Sequence, residues 1–160
     1  MLHAANVLGR LRVRELTHFL KEREIPVIHE KADIEDVIEA MAGFVHSRLL
    51  YVINDHHELI GTISLGLLER HFFSRNHEPQ IHARLMMKMI KAETAGDIMQ
   101  KNLVVAREED ELIDVLQKMI QLNIKEMPVL NHHRKVIGDL TLIDLLKFIA
   151  HLKKTDMPDS

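Results

Sequence analysis

The chain contains one pattern twice. Leu59-Ile60-Gly61-Thr62-Ile63-Ser64-Leu65 returns as Val136-Ile137-Gly138-Asp139-Leu140-Thr141-Leu142. Extended backwards without a gap, Val52, Asn54 and His56 fall on Val129, Asn131 and His133. After one extra residue in the first copy, Asp36, Val37 and Met41 fall on Asp114, Val115 and Met119, and Val27 on Val105. Leu16 matches Ile98 across a longer insertion. A duplication of this kind constrains the fold more than any single motif, because each copy must be one supersecondary unit built to the same plan.

Each copy reads as β-α-β-β-α. Short apolar runs, Ile25 to Ile28 and Leu103 to Ala106, predict buried strands. Ile34, Val37, Ile38 and Met41 then recur at helical spacing behind Asp33 as N-cap, and Leu112, Val115, Leu116 and Met119 do so behind Asp110. Two hairpins follow. Leu49 to Ile53 and Leu59 to Ile63 flank a polar turn, as do Met127 to Leu130 and Val136 to Leu140. Closing helices are predicted over Leu65 to Phe73 and Leu142 to Leu152. The division is repeat 1 over 12–73, a linker over 74–94 with a helix at Ala83 to Ala92, repeat 2 over 95–152, and a disordered tail over 153–160.

With 160 residues and 46% hydrophobic content, the chain is one ordinary domain or two small repeats sharing a core. One copy has too few apolar residues to cover its own sheet. The expected fold is α/β (α+β), with the copies back to back about a pseudo-two-fold axis and two equivalent clefts between them. Nine methionines against one tyrosine and no tryptophan predict an aliphatic core. A net charge of -3 leaves no broad basic face for nucleic acid; the lopsided stretches, Lys21 to Arg23 and Lys153-Lys154, are short. Absence of cysteine excludes disulfides and thiolate metal sites. No apolar run approaches the ~18 residues of a membrane span, and His3, Asn6, Arg10 and Arg12 interrupt any signal-type run at the start. The expected location is the cytoplasm, without direct membrane insertion.

The doubled unit resembles a cystathionine β-synthase (CBS) domain pair, or Bateman module. The resemblance is carried by Asp97-Ile98-Met99, by Met127-Pro128-Val129, and by Gly138-Asp139-Leu140-Thr141-Leu142-Ile143-Asp144, which is similar to the family's Gly-x-hydrophobic-Thr/Ser-x-x-Asp signature. It covers residues 12 to 152 and implies a non-catalytic regulatory module. The implied ligand is an adenine nucleotide (AMP, ADP or ATP) or S-adenosylmethionine, with no cofactor required. It also implies a homodimer and an effector protein that receives the signal.

Thr141 stands where the closing helix begins, and free backbone N–H groups and the helix dipole favour an anion there. Asp144 lies one turn inside, and a carboxylate can accept from both hydroxyls of a ribose. The same Thr-x-x-Asp spacing is also a capping box, which needs no ligand. By motif match the resemblance gives the phosphate to Thr141 and the ribose to Asp144. It points to Ile25, Pro26, Ser47 and Arg48 for the base, and to Lys125 for a phosphate. In the first copy Ser64 matches Thr141, but Leu67 replaces the acid. One strong site per chain follows, with a weaker counterpart at Ser64 and Val104.

Two other readings come from different classes. The fold could persist as a dimerisation scaffold without ligand, which the missing acid at position 67 favours. The 12 histidines, with His56-His57 and His132-His133 in corresponding turns and His77 and His82 in the linker, suggest a metal-responsive protein. No spacing typical of a metal site accompanies them. No P-loop, Rossmann fingerprint or Gly-x-Ser-x-Gly elbow supports an enzyme.

Overall fold

The computed structural model describes residue 6 and residues 8–20, 22–73 and 94–155. In chain order the elements are α1 (Val13–Phe19), β1 (Val27–His29), α2 (Ile34–Gly43), β2 (Leu49–Ile53), β3 (Leu59–Ser64) and α3 (Leu65–Phe73). Then come α4 (Ala95–Ile98), β4 (Ala106–Arg107), α5 (Leu112–Leu122), β5 (Glu126–Leu130), β6 (Val136–Thr141) and α6 (Leu142–Thr155). The β-α-β-β-α order is present in both copies. The proposed linker helix at Ala83 to Ala92 and residues 156–160 of the tail lie outside the described residues.

Two three-stranded sheets carry the copies, ordered β1-β2-β3 and β4-β5-β6. In each, the first pair is parallel and the second antiparallel. Val52 faces Gly61 and Val129 faces Gly138, and the register shifts immediately after, between Val52 and Ile53 and between Val129 and Leu130. The duplication therefore extends to a bulge, a feature that redirects the strand end. The two hairpin turns also match. Asn54 Oδ1 accepts from the N–H groups of His56 and Glu58, both at 3.0 Å. Asn131 Oδ1 accepts from those of His133 at 2.9 Å and Lys135 at 3.0 Å. Each asparagine side chain builds its own turn, which allows left-handed φ values of 60° at His57 and 61° at Arg134.

Several boundaries differ from the sequence expectation for identifiable reasons. Strand pairing starts at Val27, beyond Pro26, which lacks an N–H for the ladder. In the second copy it starts only at Ala106. Asp33 caps α2, accepting from Asp36 N–H at 2.8 Å. Asp110 does not cap α5. The N-cap is Glu111, without a side-chain bond, and Asp110 instead accepts from Arg107 N–H at 2.8 Å, tying the preceding turn. α6 runs on to Thr155, whose hydroxyl donates to the carbonyls of His151 and Leu152.

The chain separates into two compact units: Pro26–Leu103, and Met1–Ile25 with Val104–Ser160. These are termed the first-repeat and second-repeat units. The cut does not follow the sequence repeats, because the opening helix of each repeat packs in the other's unit. α1 opens repeat 1 but belongs to the second-repeat unit. Val13 N–H donates to Asp110 O at 2.9 Å, Val13 and Leu16 are fully buried, and the Phe19 and Phe148 rings meet at 5.0 Å. α4 opens repeat 2 but belongs to the first-repeat unit. Ala95 N–H donates to Ala32 O at 2.8 Å, and Thr62 and Gln100 exchange backbone hydrogen bonds at 2.8 and 2.9 Å. Each unit has its own core. Leu16, Leu112, Met119, Met127, Leu140 and Leu145 anchor one; Val37, Leu50, Val52 and Ile63 anchor the other. Among the described residues, no helix is long and apolar enough to cross a membrane.

Candidate ligand-binding site

The turn from β6 into α6 is held from both sides. Thr141 ends the strand opposite Glu126, and Leu142 N–H donates to Lys125 O at 2.8 Å. At the helix mouth Thr141 N–H donates to Asp144 Oδ2 at 2.9 Å, and Asp144 N–H donates to Thr141 Oγ1 at 3.1 Å. The capping box is thus formed. Asp144 is only 3% exposed, so something more than the box must compensate its charge.

That compensation comes from Arg23. Its Nη1 donates to Asp144 Oδ1 at 2.9 Å and its Nη2 to Oδ2 at 2.6 Å, a bidentate charge-assisted pair. Nη2 also donates to the Asp139 carbonyl at 2.8 Å and lies 3.6 Å from the Asp139 carboxylate. Burial pushes the Asp144 carboxyl up. The Arg23 hydrogen bonds, then those from Thr141, outweigh burial and hold it below the ordinary value of 3.8. Sequence reasoning missed Arg23. It lies 121 residues from Asp144, and no spacing rule reaches that far. Its one visible sign was membership of a short charged stretch.

The first repeat builds the same junction without the acid. Leu65 N–H donates to Arg48 O at 2.9 Å, as Leu142 does to Lys125. Ser64 Oγ accepts from Leu67 N–H at 3.0 Å and so caps α3. Leu67 packs against the first-repeat core. Arg48 and Lys125 are therefore structural counterparts, both exposed, with Lys125 Nζ 3.2 Å from Asn123 Oδ1.

The second-repeat unit holds Thr141, Asp144 and Lys125 around one turn, together with Ile25 and Val104, both half-buried. Val104 packs on that unit's core. Pro26, Ser47, Arg48 and Ser64 belong to the first-repeat unit. There Pro26 is buried and its carbonyl accepts from Tyr51 N–H at 2.8 Å. Ser47 is buried, and its hydroxyl donates to Leu49 O at 2.7 Å. Ser47 and Arg48 also line a groove of about 860 Å³ with Met41, Phe44, Leu65 and Phe72. Neither Thr141 nor Asp144 lines it.

Two of the described histidines lie beside carboxylates. His29 Nε2 lies 2.8 Å from Asp55 Oδ1, and this bond, followed by the nearby Lys31 charge, lowers the exposed Asp55 carboxyl. His132 Nδ1 lies 3.6 Å from Glu109. Among the described residues no three His, Asp or Glu side chains are grouped to hold a metal ion. His77 and His82 lie outside the described residues.

Known proteins match this architecture. A crystal structure of CBSX2 in complex with AMP superposes with a TM-score of 0.70 at 21% identity, covering 86% of this chain and 97% of that one. The CBS domain pair of MJ0100, solved with 5'-methylthioadenosine and S-adenosyl-L-methionine, gives 0.63 at 21% identity, covering 89% and 98%. A homoserine O-acetyltransferase from Methanosphaera stadtmanae is 26% identical over 137 residues, 86% of this chain but 24% of the relative. An uncharacterised Methanocaldococcus jannaschii protein is matched over 47% of its length. The chain thus spans between about a quarter and a half of these curated relatives. The family model of the CBS domain matches twice, over residues 13–71 and 95–151, once on each copy of the duplication. Since each match coincides with one β-α-β-β-α repeat, the chain belongs to the CBS domain family as a tandem pair.

Proposed function

We propose that this chain is a regulatory module that binds an adenosine ligand at the mouth of α6 and passes the binding event to a partner protein. The observation that carries the reading is the pairing of half-buried Thr141 with buried Asp144, present in one repeat only. A hydroxyl and a carboxylate one helical turn apart match a phosphate and a ribose diol. The bound AMP of CBSX2 and the adenosyl compounds bound by the MJ0100 pair support this ligand class. Thr141 takes a phosphate, Asp144 the ribose, and Lys125 adds a point charge. Ile25, Pro26, Ser47 and Arg48 keep the base contacts that the family resemblance implies. Ser64 and Val104 form the weaker counterpart, which has no acid for the ribose. The working form is a cytoplasmic homodimer without catalytic activity. A ligand moves such a module only by its differential affinity for two arrangements.

A thermal-shift panel of AMP, ADP, ATP and S-adenosylmethionine tests the proposal. A ligand at a hundred times its Kd stabilises the folded state by about 2.7 kcal/mol, a shift of a few degrees. Asp144→Asn keeps an oxygen for Thr141 N–H but loses the charge, and it should abolish that shift. Full retention of the shift would remove Asp144 from the site. A second reading, a scaffold of the same fold without ligand, is favoured by the engagement of Asp144 with Arg23 and Thr141. It predicts no shift with any of the four.

A further inference from the structure

We propose that Arg23 is a latch on Asp144 that an anionic adenosine ligand releases, so that the site selects nucleoside phosphates over uncharged or cationic adenosyl compounds. The inference rests on the reading of Asp144 as the ribose acceptor and adds the class of ligand and the residue that enforces it.

The acceptor count of Asp144 starts the argument. A carboxylate offers about four lone-pair positions. Arg23 uses one on each oxygen and Thr141 N–H a further one on Oδ2. A ribose diol needs a position on each oxygen, along the edge that the guanidinium already covers. Diol and guanidinium therefore compete for the same edge, and binding requires Arg23 to let go.

The fate of the released guanidinium decides which ligand succeeds. Its side chain is 34% exposed, so it is not returned fully to water. The Asp139 carbonyl at 2.8 Å and the Asp139 carboxylate at 3.6 Å favour its staying beside the helix mouth. What it loses is a bidentate, charge-assisted partner. A phosphate restores one, because the planar fork of arginine fits two phosphate oxygens as it fits a carboxylate. Adenosine takes the carboxylate and gives nothing back. A sulfonium such as S-adenosylmethionine brings a further positive charge to a guanidinium that has just given up the nearer of its two carboxylate partners. The first repeat has leucine at the matching position and so has no acid to latch.

Isothermal titration of the full chain with AMP, adenosine and S-adenosylmethionine tests the latch. The wild type should bind AMP at least tenfold more tightly than adenosine, with S-adenosylmethionine weaker still. Arg23→Gln should strengthen adenosine, weaken AMP, and reduce their affinity ratio at least tenfold. Arg23→Lys keeps a cation but loses the fork, so it should raise adenosine affinity and lower the ratio by less. If Arg23→Gln does not fold by circular dichroism, Arg23→Lys carries the same test. A structural ion pair would scale both ligands alike. An unchanged ratio in a folded variant therefore overturns the latch while leaving the proposed function standing, as does a wild type that prefers adenosine or S-adenosylmethionine. Adenosine binding that emerges only in Arg23→Gln, with AMP bound by the wild type, supports the latch, whereas AMP binding that emerges only in the variant overturns it. No binding of any of the three by wild type or variants removes the sensing function, and the latch with it.

Discussion

Gly61 and Gly138 hold the same place in the duplication, yet their surroundings differ. A Cβ at Gly61 would collide with the Met99 side chain, coming within 2.9 Å of its Cβ and closer to its sulfur, whereas one at Gly138 meets Val129 Cβ at an ordinary 3.5 Å. Gly61→Ala should destabilise the protein by about 1–3 kcal/mol through overpacking. Gly138→Ala should cost well under that. Urea denaturation of the two variants checks the contrast, and equal losses would refute it. The asymmetry arises because Met99, just after α4, crowds Gly61, whereas α1 meets Gly138 only through Thr17 Cγ2 at 3.8 Å. Arg23 and Asp144 support a second prediction at this scale. The carboxyl is held below its unfolded value of 3.8. Its contribution is therefore present above that pH and is lost as pH falls through the folded value. Arg23→Gln should cost about 1–2 kcal/mol at pH 7, less than a fully buried pair because Arg23 is a third exposed. That gap should narrow as the pH falls below about 4. Denaturation midpoints of wild type and variant across pH 7 to 3 measure it; a gap that widens in acid would contradict the assignment.

At the scale of elements, α1 and α4 are the informative pieces. Each opens one repeat and packs in the unit of the other. Leu16 is fully buried in a core otherwise built mainly from repeat 2. Leu16→Ala should therefore cost about 2–5 kcal/mol, and the loss should show in the second-repeat unit. Amide exchange should accelerate across 104–155, and an increase confined to 26–73 would disprove the exchange of opening helices. The elements of the two β-α-β-β-α units were legible in sequence, β2 and α3 to the residue, because alternation, helical spacing and turn chemistry are local signals; α1 and α4 were not read. Asp110 misled for a related reason. An aspartate before an apolar run is a good cap by type, but here its carboxylate accepts from Arg107 N–H on the preceding turn. Local pattern does not decide between two nearby donors.

For the whole molecule, the exchanged helices make the second-repeat unit depend on both ends of the chain. The second-repeat unit joins residues 1–25 to 104–160, and the first-repeat unit needs 94–103. A fragment of residues 95–160, complete as a sequence repeat, lacks Val13, Leu16 and the Phe19 ring that packs on Phe148. It should fail to give a cooperative thermal transition, and mixing it with a peptide spanning 8–25 should restore one. A sharp transition in the fragment alone would show that the opening helix is dispensable.

The amino-acid order by itself determined the duplication, the β-α-β-β-α plan, the hairpin asparagines, and the Thr141–Asp144 pair with its missing counterpart at Leu67. All of these rest on residues near each other along the chain or on one segment matched to another. Only the tertiary structure decided that Arg23 covers Asp144 and that the opening helices change places. Both depend on which distant segments come to share a core. A charge-assisted contact across 121 residues leaves no periodicity, spacing or composition in the sequence by which it could be read.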